Sequence, residues 1–202
     1  MSKKNFINYS LELGIKSWLK FICKRINIKN LEIILDNNLK DNIKKLYLKA
    51  NNLIYKNIYI NKIKININDF KLHFNYKKLR MYSNNMIIDC FIEIDNSNLE
   101  KIFFTSKWQD IRTQLQNKFT EGNNILNLHI DYDLIDLNYQ INNILLKKTI
   151  RLKSEENKLY LLDVKDKKKV LIPLDKNIQI KNCLITNKLI NIELTSKVTF
   201  DN

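Results

Sequence analysis

The sequence predicts an α+β fold in which a mostly antiparallel, curved β-sheet is combined with an N-terminal amphipathic helix and a central pair of helices. Two changes of pattern support this class. The spacing of apolar residues shifts from near 3.6 to 2 after about residue 30, and two short helical segments then separate one run of strands from another. The 202 residues fit a basic N-terminal helix over residues 1–27 and a single β-rich domain over residues 28–202.

The N-terminal segment has the pattern of one amphipathic helix. Apolar side chains recur at helical spacing at Leu11, Ile15, Trp18, Leu19, Ile22 and Ile26. Basic residues beside aromatic ones are typical of a helix in the membrane interface, which predicts a head-group surface of Lys16, Trp18, Lys20, Phe21, Lys24 and Arg25. The alternative is a helix that packs on the sheet with its lysines in water. The two interpretations are compatible if the isoleucine side of the helix packs on the sheet and an adjacent side contacts lipid.

Alternating apolar and polar residues predict strands from residue 31 to residue 94, where β-branched residues dominate. The strand segments are LEIILD, IKKLYLKA, NIYINKIKININ, FKLHFNY and MIIDCFIEID. The third segment contains a slip of one residue in phase between Ile60 and Ile63. Because such a slip reverses the buried face, we expect a bulge or a sharp twist near Asn61 and Lys62.

A polar corner and two short helices follow the fifth strand. Ser97 with Glu100, and Ser106 with Gln109, have the spacing of capping boxes, so each serine is predicted to begin a helix. The residues EGNN at 121–124 end the second helix. A second run of strands follows: ILNLHIDYDL, LNYQINNILL, KKTIRLK, LYLLDV, KVLIPL, IQIKNCLI and KLINIELTSKVTF.

The central helices carry the densest aromatic cluster of the chain. Ligand pockets are mostly apolar with few polar anchors, so we predict a groove for an acyl chain lined by Leu99, Phe103, Phe104, Trp108 and Ile111. Lys107 and Arg112 flank the cluster and are candidates to hold a phosphate. Ordinary core packing is the alternative for each apolar side chain.

Five segments between residues 10 and 120 resemble the LmeA-like phospholipid-binding family (domain of unknown function 2993), in particular its cyanobacterial and plastid-type members. They are Ile15–Leu19 (IKSWL), Leu31–Leu35 (LEIIL), Lys49–Tyr55 (KANNLIY), Ile65–Asn68 (ININ) and Ile94–Leu99 (IDNSNL). The last is the most specific, because it is similar to the family's strand that leads into a Ser- or Thr-led helix start. The family places glycine at corners where this chain has Lys56 and Asn57.

The resemblance implies phospholipid binding by a β-rich, tubular-lipid-binding-like body without an assigned catalytic residue. Some exported members act in the lipid biology of the cell envelope. No export signal is expected here, because Lys16, Lys20, Lys24 and Arg25 interrupt the apolar residues of the first segment. No run of about 20 apolar residues predicts a membrane-spanning helix.

The formal net charge of +14 favours an anionic partner, either lipid head groups or a nucleic-acid backbone. Lys165–Lys169 (KDKKK) is predicted to be a charged hairpin, and its alternative role is a phosphate-contacting loop. Nucleic-acid binding is therefore the second hypothesis, helped by nine Tyr and nine Phe that offer surfaces for bases. A third hypothesis is an assembly protein that docks on a protein partner through its N-terminal helix.

Enzymatic function is not predicted. His73 and His129 each lie in an alternating strand without a catalytic motif around them, and two glycines cannot form a glycine-rich phosphate loop. Asp131 and Asp133 share one strand face without further metal ligands. The cysteines lack metal-site spacing, so no cofactor and no metal are expected.

The abundance of Asn, Lys and Ile is typical of an A+T-rich genome. Together with the unpaired cysteines, which indicate a reducing compartment, and the cyanobacterial resemblance, this bias predicts a plastid stroma facing its membranes. A small bacterial cytoplasm is the alternative. Asn must also occupy many turns, because only two glycines are present.

Overall fold

The structure is a computed structural model that describes residues 3–35, 42–71, 73–75, 80–82 and 86–198. It confirms the α+β class. The helices are α1 (Lys3–Ile22), α2 (Asn96–Phe103) and α3 (Gln109–Phe119), with a 3-10 turn at Ser106–Trp108 between the last two. The strands are β1 (Arg25–Leu35), β2 (Asn42–Tyr55), β3 (Ile58–Lys71), β4 (His73–Asn75), β5 (Arg80–Tyr82), β6 (Met86–Asp95), β7 (Ile125–Asp131), β8 (Leu134–Ile141), β9 (Ile144–Glu155), β10 (Lys158–Asp163), β11 (Lys169–Ile172), β12 (Ile178–Thr186) and β13 (Leu189–Val198).

The described strands form two main antiparallel sheets, in agreement with the predicted antiparallel β-structure. The first sheet has the order β1-β2-β3-β6-β13-β12, and the second has the order β11-β10-β9-β8-β7. A two-stranded ribbon of β4 and β5 lies between β3 and β6 in the chain. The chain leaves the first sheet after β6, forms α2, α3 and the second sheet, and returns as the β12-β13 hairpin, whose β13 pairs with β6.

The predicted boundary of the N-terminal helix is wrong at its C-terminal end. The apolar pattern predicts that the helix continues to Ile26, but α1 ends at Ile22 and β1 begins at Arg25. Ile26 instead packs beside the cluster around Cys23 and Ala50 from within β1. The pattern could not separate the two elements because Ile22 and Ile26 also satisfy helical spacing.

One face of the first sheet, which we call the inner face, carries most of its apolar side chains. Side chains of directly paired residues share a face, and one such row crosses five strands at Ala50, Ile63, Ile92, Ile192 and Cys183. The β1-β3 end packs against Leu11, Ile15 and Ile22 of α1. The β12-β13 end joins α2, α3 and the second sheet in the main core.

The predicted change of phase in β3 is confirmed, since Ile60 and Ile63 are both buried. It does not need an inserted residue, because β2 and β3 stay in one register on both sides of it. The register places Asn52 of β2 opposite Asn61, and Asn52 has a φ of +52°. Ala50 and Leu53 of β2 are likewise both buried, so the buried face changes in both strands at this point.

Candidate functional site

The helix α1 lies against the β1 edge of the first sheet and is fixed at its C-terminal end. Leu11 and Ile15 pack on one apolar cluster of the inner face, and Ile22 packs on a second. The backbone N–H of Lys24 donates to the carbonyl of Ile54 at 2.9 Å, which ties the residue after the helix to β2. These contacts hold one side of α1 on the sheet and fix the direction of the other side.

The other side of α1 presents apolar side chains to solvent. Phe21 is 88% exposed, Trp18 is 52% exposed and Leu13 is 46% exposed. Trp18 and Phe21 are three residues apart and so are neighbours on the helix surface. Gly14, one turn before Trp18, faces open space, because no atom lies within 4 Å of the position that a Cβ would take there. We call Trp18 and Phe21 the aromatic shoulder of α1.

Basic residues surround the aromatic shoulder. Lys20, Lys24 and Arg25 are exposed, and no ion pair to them is found within the described part of the chain. Lys16 lies 3.7 Å from Glu12 in a pair along the helix, which leaves its ammonium half-exposed. Trp18, Lys20, Phe21, Lys24 and Arg25 are thus all exposed, with Lys24 and Arg25 after the end of α1, whereas Lys107 and Arg112 lie in the central helical segment.

The predicted groove residues lie mostly in the main core. Phe103 is 1% exposed, Ile111 is 5% exposed and Leu99 is 8% exposed, so the protein itself covers them. Trp108 is half-buried against the same core, and Phe104 is the exposed member of the set. A buried side chain cannot contact an acyl chain. We therefore assign Leu99, Phe103 and Ile111 to core packing, which is the alternative that the sequence also allowed.

Arg112 is occupied by the protein itself. Its guanidinium donates to the carbonyl of Phe103 at 2.5 Å and to that of Thr105 at 3.3 Å, and it lies over the rings of Phe103 and Phe104. The Phe103 carbonyl is at the end of α2 and the Thr105 carbonyl lies just after it, where a cation is favourable. Arg112 therefore holds α2 against α3, whereas Lys107 is exposed beside it.

The polar corner before α2 is built differently from the predicted capping box. Asp95 is the N-cap, and its carboxylate accepts the N–H of Asn98 at 2.8 Å. Ser97 is exposed inside the first turn. Asn61 of β3 accepts the N–H of Asp95 at 2.7 Å and an N–H of the Asn98 side chain at 2.9 Å, and it also donates to the Asp95 carboxylate.

The second predicted box, Ser106 with Gln109, is also wrong. The 3-10 turn begins after Thr105 and α3 begins after Trp108, and neither N-cap residue makes a side-chain cap bond. Gln109 is the first residue of α3 instead of an N3 partner.

The charged segment around Lys165–Lys169 connects β10 to β11, which pair as an antiparallel hairpin as predicted. Lys169 lies 2.6 Å from the carboxylate of Glu155. Hydrogen bonds from the Lys153 ammonium and then from that of Lys169 lower the pKa of Glu155 to about 2. Lys165, Lys167 and Lys168 remain exposed at the turn.

The described residues contain no group of three or more His, Cys, Asp and Glu side chains able to hold a metal ion. Asp133 faces Arg151 at 3.7 Å, and His129 is exposed on β7. Burial raises the pKa of the Cys90 and Cys183 thiols to about 12, which keeps both protonated and unreactive near neutral pH.

The outer face of the first sheet, the face opposite α1, carries lysines and carboxylates side by side, since Glu32 pairs with Tyr47, Asp89 with Asn66 and Glu193 with Phe91. Lys49 pairs directly with Lys64, and Lys64 pairs directly with Phe91. These residues alternate with the apolar inner-face residues, so the signal was present in the strand pattern. Reading it required the register between strands, which the sequence alone did not provide.

Within the described ranges, no helix is both long and apolar enough to pass through a bilayer. No protein-family model, no curated protein and no solved structure matches this chain. The exposed aromatic and basic residues at the C-terminal end of α1 are therefore the basis for the function proposed below.

Proposed function

We propose that this chain is a non-enzymatic, membrane-peripheral protein that binds anionic phospholipid surfaces through α1. The observation that carries the proposal is the 88% exposure of Phe21 beside the half-exposed Trp18, on a helix whose opposite side is fixed to the sheet. Exposed neighbouring aromatic residues need a partner more than scattered apolar residues do. The resemblance to the LmeA-like family points in the same direction and stays a sequence-based prediction.

The physical basis of membrane binding is the combination of aromatic side chains that insert into the interface and basic side chains that attract anionic head groups. Aromatic side chains on an interfacial helix enter the boundary between head groups and acyl chains, while lysines at the same level meet anionic head groups. Full burial of a Phe side chain stabilises by about 1.5–3 kcal/mol, and each basic residue near an anionic leaflet adds about 1 kcal/mol. Trp18 and Phe21 supply the apolar term, and Lys20 together with Lys24, just after the end of α1, supplies the charge.

The rigid attachment of α1 supports peripheral binding by a folded protein. The helix does not need to leave the sheet, because Leu11, Ile15 and Ile22 stay in their clusters while the aromatic shoulder faces outward. No ordering cost for a free helix is then added to the binding free energy. The compartment that the sequence predicts, a plastid stroma facing its membranes, is compatible with this mode and remains part of the proposal.

Vesicle co-sedimentation tests the proposal with matched variants. We expect the natural protein to bind phosphatidylcholine vesicles that contain phosphatidylglycerol. The double variant Trp18→Ser/Phe21→Ser should lose at least about tenfold in affinity, because a loss of about 1.4 kcal/mol changes the dissociation constant tenfold. Lys20→Gln/Lys24→Gln should weaken binding to anionic vesicles only.

The control is Tyr132→Ser, which removes an exposed aromatic side chain from the turn between β7 and β8. It should bind as the natural protein does. The proposal is wrong if the natural protein binds neither vesicle type at low salt, or if Tyr132→Ser weakens binding as much as the α1 variants.

A further inference from the structure

The hairpin of β8 and β9 extends beyond the main core at its turn, residues 142–143. Alternate residues of a strand share a face, so Ile144 lies on the same face of the second sheet as Ile150. Ile150 is fully buried in the main core, whereas Ile144 is 62% exposed and Leu145 is 66% exposed. We call Ile144 and Leu145 the aliphatic tip of the second sheet.

The aliphatic tip presents apolar side chains on both faces of the hairpin. Ile144 and Leu145 are successive residues of β9, so their side chains point to opposite faces. A protein that docks on one face of the sheet leaves the side chain on the other face in water. Lipid at a membrane interface surrounds a tip on both faces. The direction of these two side chains therefore favours a lipid surface over a protein docked on the sheet.

Three exposed lysines lie at the same end of the second sheet. Lys165, Lys167 and Lys168 belong to the turn between β10 and β11, and no ion pair to them is found among the residues that the structure describes. The backbone N–H of Val164 donates to the carbonyl of Thr149 in β9 at 3.2 Å, which places this turn beside the strand that begins at the aliphatic tip. We call the three lysines the lysine turn.

Hydrogen bonds and ion pairs hold the lysine turn in place. The Asp163 carboxylate accepts the backbone N–H of Lys165 at 2.9 Å and that of Asp166 at 3.1 Å. The ammonium of Lys148 in β9 lies 2.8 Å from the Asp163 carboxylate and 2.5 Å from that of Asp166. Lys148 is four residues from Ile144, a distance of about 13 Å along a strand. The turn is therefore fixed close to the aliphatic tip.

The carboxylates at this end of the sheet do not cancel the charge of the lysine turn. Two lysines of β9 pair with the three nearest ones: Lys147 with Asp136, and Lys148 with Asp163 and Asp166. Asp136 and Asp163 are buried, so they contribute little to the surface. Glu121, after α3, is exposed three residues from the exposed Lys118, and the two charges offset each other. The exposed charge at this end is therefore positive.

From the aliphatic tip and the lysine turn together, we propose that this end of the second sheet is a second contact with anionic phospholipid membranes. The inference rests on the proposed function, since it assigns a further contact to the same class of partner. The tip enters the boundary between head groups and acyl chains, and the lysine turn meets anionic head groups. The asparagines at residues 142–143 keep the tip at this boundary, where head groups and water satisfy their amides.

A nitrobenzoxadiazole label on Leu145→Cys tests the inference directly, because its emission depends on the polarity around it. The label attaches selectively, since raised thiol pKa values keep Cys23, Cys90 and Cys183 protonated near neutral pH. With phosphatidylcholine vesicles that contain phosphatidylglycerol, we expect the emission to shift to shorter wavelength. The same label on Lys158→Cys, at the opposite end of the second sheet, should show no shift.

Substitutions test the aliphatic tip without a label. In the Trp18→Ser/Phe21→Ser background, Ile144→Thr/Leu145→Thr should weaken binding to the same vesicles by a further factor of at least about five. Threonine keeps the preference for a strand and both positions are mostly exposed, so the unfolding midpoint should stay unchanged. The matched control is Leu171→Thr/Leu184→Thr, which removes two exposed leucines from other parts of the sheets and should bind as the background does.

The lysine turn has its own variant, Lys165→Gln/Lys167→Gln/Lys168→Gln. It should weaken binding in the same background to the vesicles with phosphatidylglycerol only, because its effect is electrostatic. Equal binding of this variant and the background to anionic vesicles at low salt would remove the lysine turn from the contact and overturn the inference.

The labelled protein separates the two membrane proposals. If it sediments with vesicles while the emission at position 145 stays unchanged, this inference is wrong and the α1 proposal stands. If it neither sediments nor shifts at low salt, both are wrong. If size-exclusion chromatography shows self-association that Ile144→Thr/Leu145→Thr abolishes, the tip joins two copies of the chain, and the inference is again wrong.

Discussion

A charged pair inside the second sheet joins Lys148 of β9 to Asp163 at the end of β10. The ammonium lies 2.8 Å from the Asp163 carboxylate, which is fully buried, and 2.5 Å from that of Asp166. Burial alone would raise the pKa of Asp163, but Lys148 and the backbone N–H groups of Asp166 and Lys165 outweigh it and hold the pKa below its ordinary value. The pair closes the turn that leads to β11.

We predict that Asp163→Asn lowers the free energy of unfolding by about 2 kcal/mol near pH 7, because it leaves a mostly buried ammonium with Asp166 alone. A carboxyl with a lowered pKa stabilises the fold above its unfolded value of 3.8, and that contribution disappears as the pH falls through the lower folded pKa. The difference between variant and natural protein should therefore shrink below about pH 4. Urea unfolding across this range measures it.

Asp166→Asn is the matched control, since Asp166 is partly exposed and its loss should cost less than about 1 kcal/mol. An equal effect of Asp163→Asn at neutral and strongly acidic pH would contradict the stabilising role of the ionised carboxylate.

Turn residues were partly predictable. The scarcity of glycine led to the expectation that Asn occupies turns, and Asn57, Asn142, Asn143, Asn157 and Asn187 do so with positive φ. Their partners at Lys56, Glu156 and Lys188 also have positive φ, although their side chains gain no local hydrogen bond in that conformation. These positions are dictated by two-residue hairpins, whose twist requires two left-handed residues whatever their type.

At the level of elements, the corner between β6 and α2 depends on Asp95. We predict that Asp95→Ala lowers the free energy of unfolding by about 1–3 kcal/mol, because it removes the helix cap and the contact to Asn61. Ser97→Ala should change it by less than about 0.5 kcal/mol, because Ser97 is exposed and does not cap the helix. Chemical denaturation of both variants measures the difference, and a larger effect of Ser97→Ala would contradict the assigned cap.

The sequence could not decide between the two caps. Both Asp95 and Ser97 are good N-cap residues, and Ser97 has the additional Glu100 at capping-box spacing. The choice is made by Asn61, which is 34 residues from Asp95 in the chain and binds its backbone N–H. Asn96 adds a second long-range contact, since its side-chain oxygen accepts the N–H of Ile130 in β7 at 2.6 Å.

For the whole molecule, the alternation of apolar and polar residues predicts the main strands but not where some of them end or which sheet each one joins. The segments IKKLYLKA, MIIDCFIEID and IQIKNCLI lie within β2, β6 and β12, whereas ILNLHIDYDL and LNYQINNILL each contain a turn. Alternation also cannot say that the last hairpin returns to the first sheet, because β13 pairs with β6 across some 100 residues of chain. The final residues of KLINIELTSKVTF, and Asp36 after β1, lie outside the described residues.

The candidate surfaces also differ in how much of each one a local sequence pattern can predict. The exposure of Trp18 and Phe21 follows from helical spacing, because the side of α1 that carries Leu11, Ile15 and Ile22 packs on the sheet. The groove of Leu99, Phe103 and Ile111 was not supported, because a local pattern shows which side chains are apolar and not what covers them. The mixed charges on the outer face of the first sheet depend on strand register, which is long-range information.

The whole account depends most on Trp18 and Phe21 entering a membrane. In a Trp108→Phe background, Trp18 is the single tryptophan of the chain, and its fluorescence reports its surroundings. With anionic vesicles in excess at low salt, the emission should shift to shorter wavelength and be quenched by lipids brominated near the top of the acyl chain. An unshifted, unquenched emission under these conditions would contradict the account.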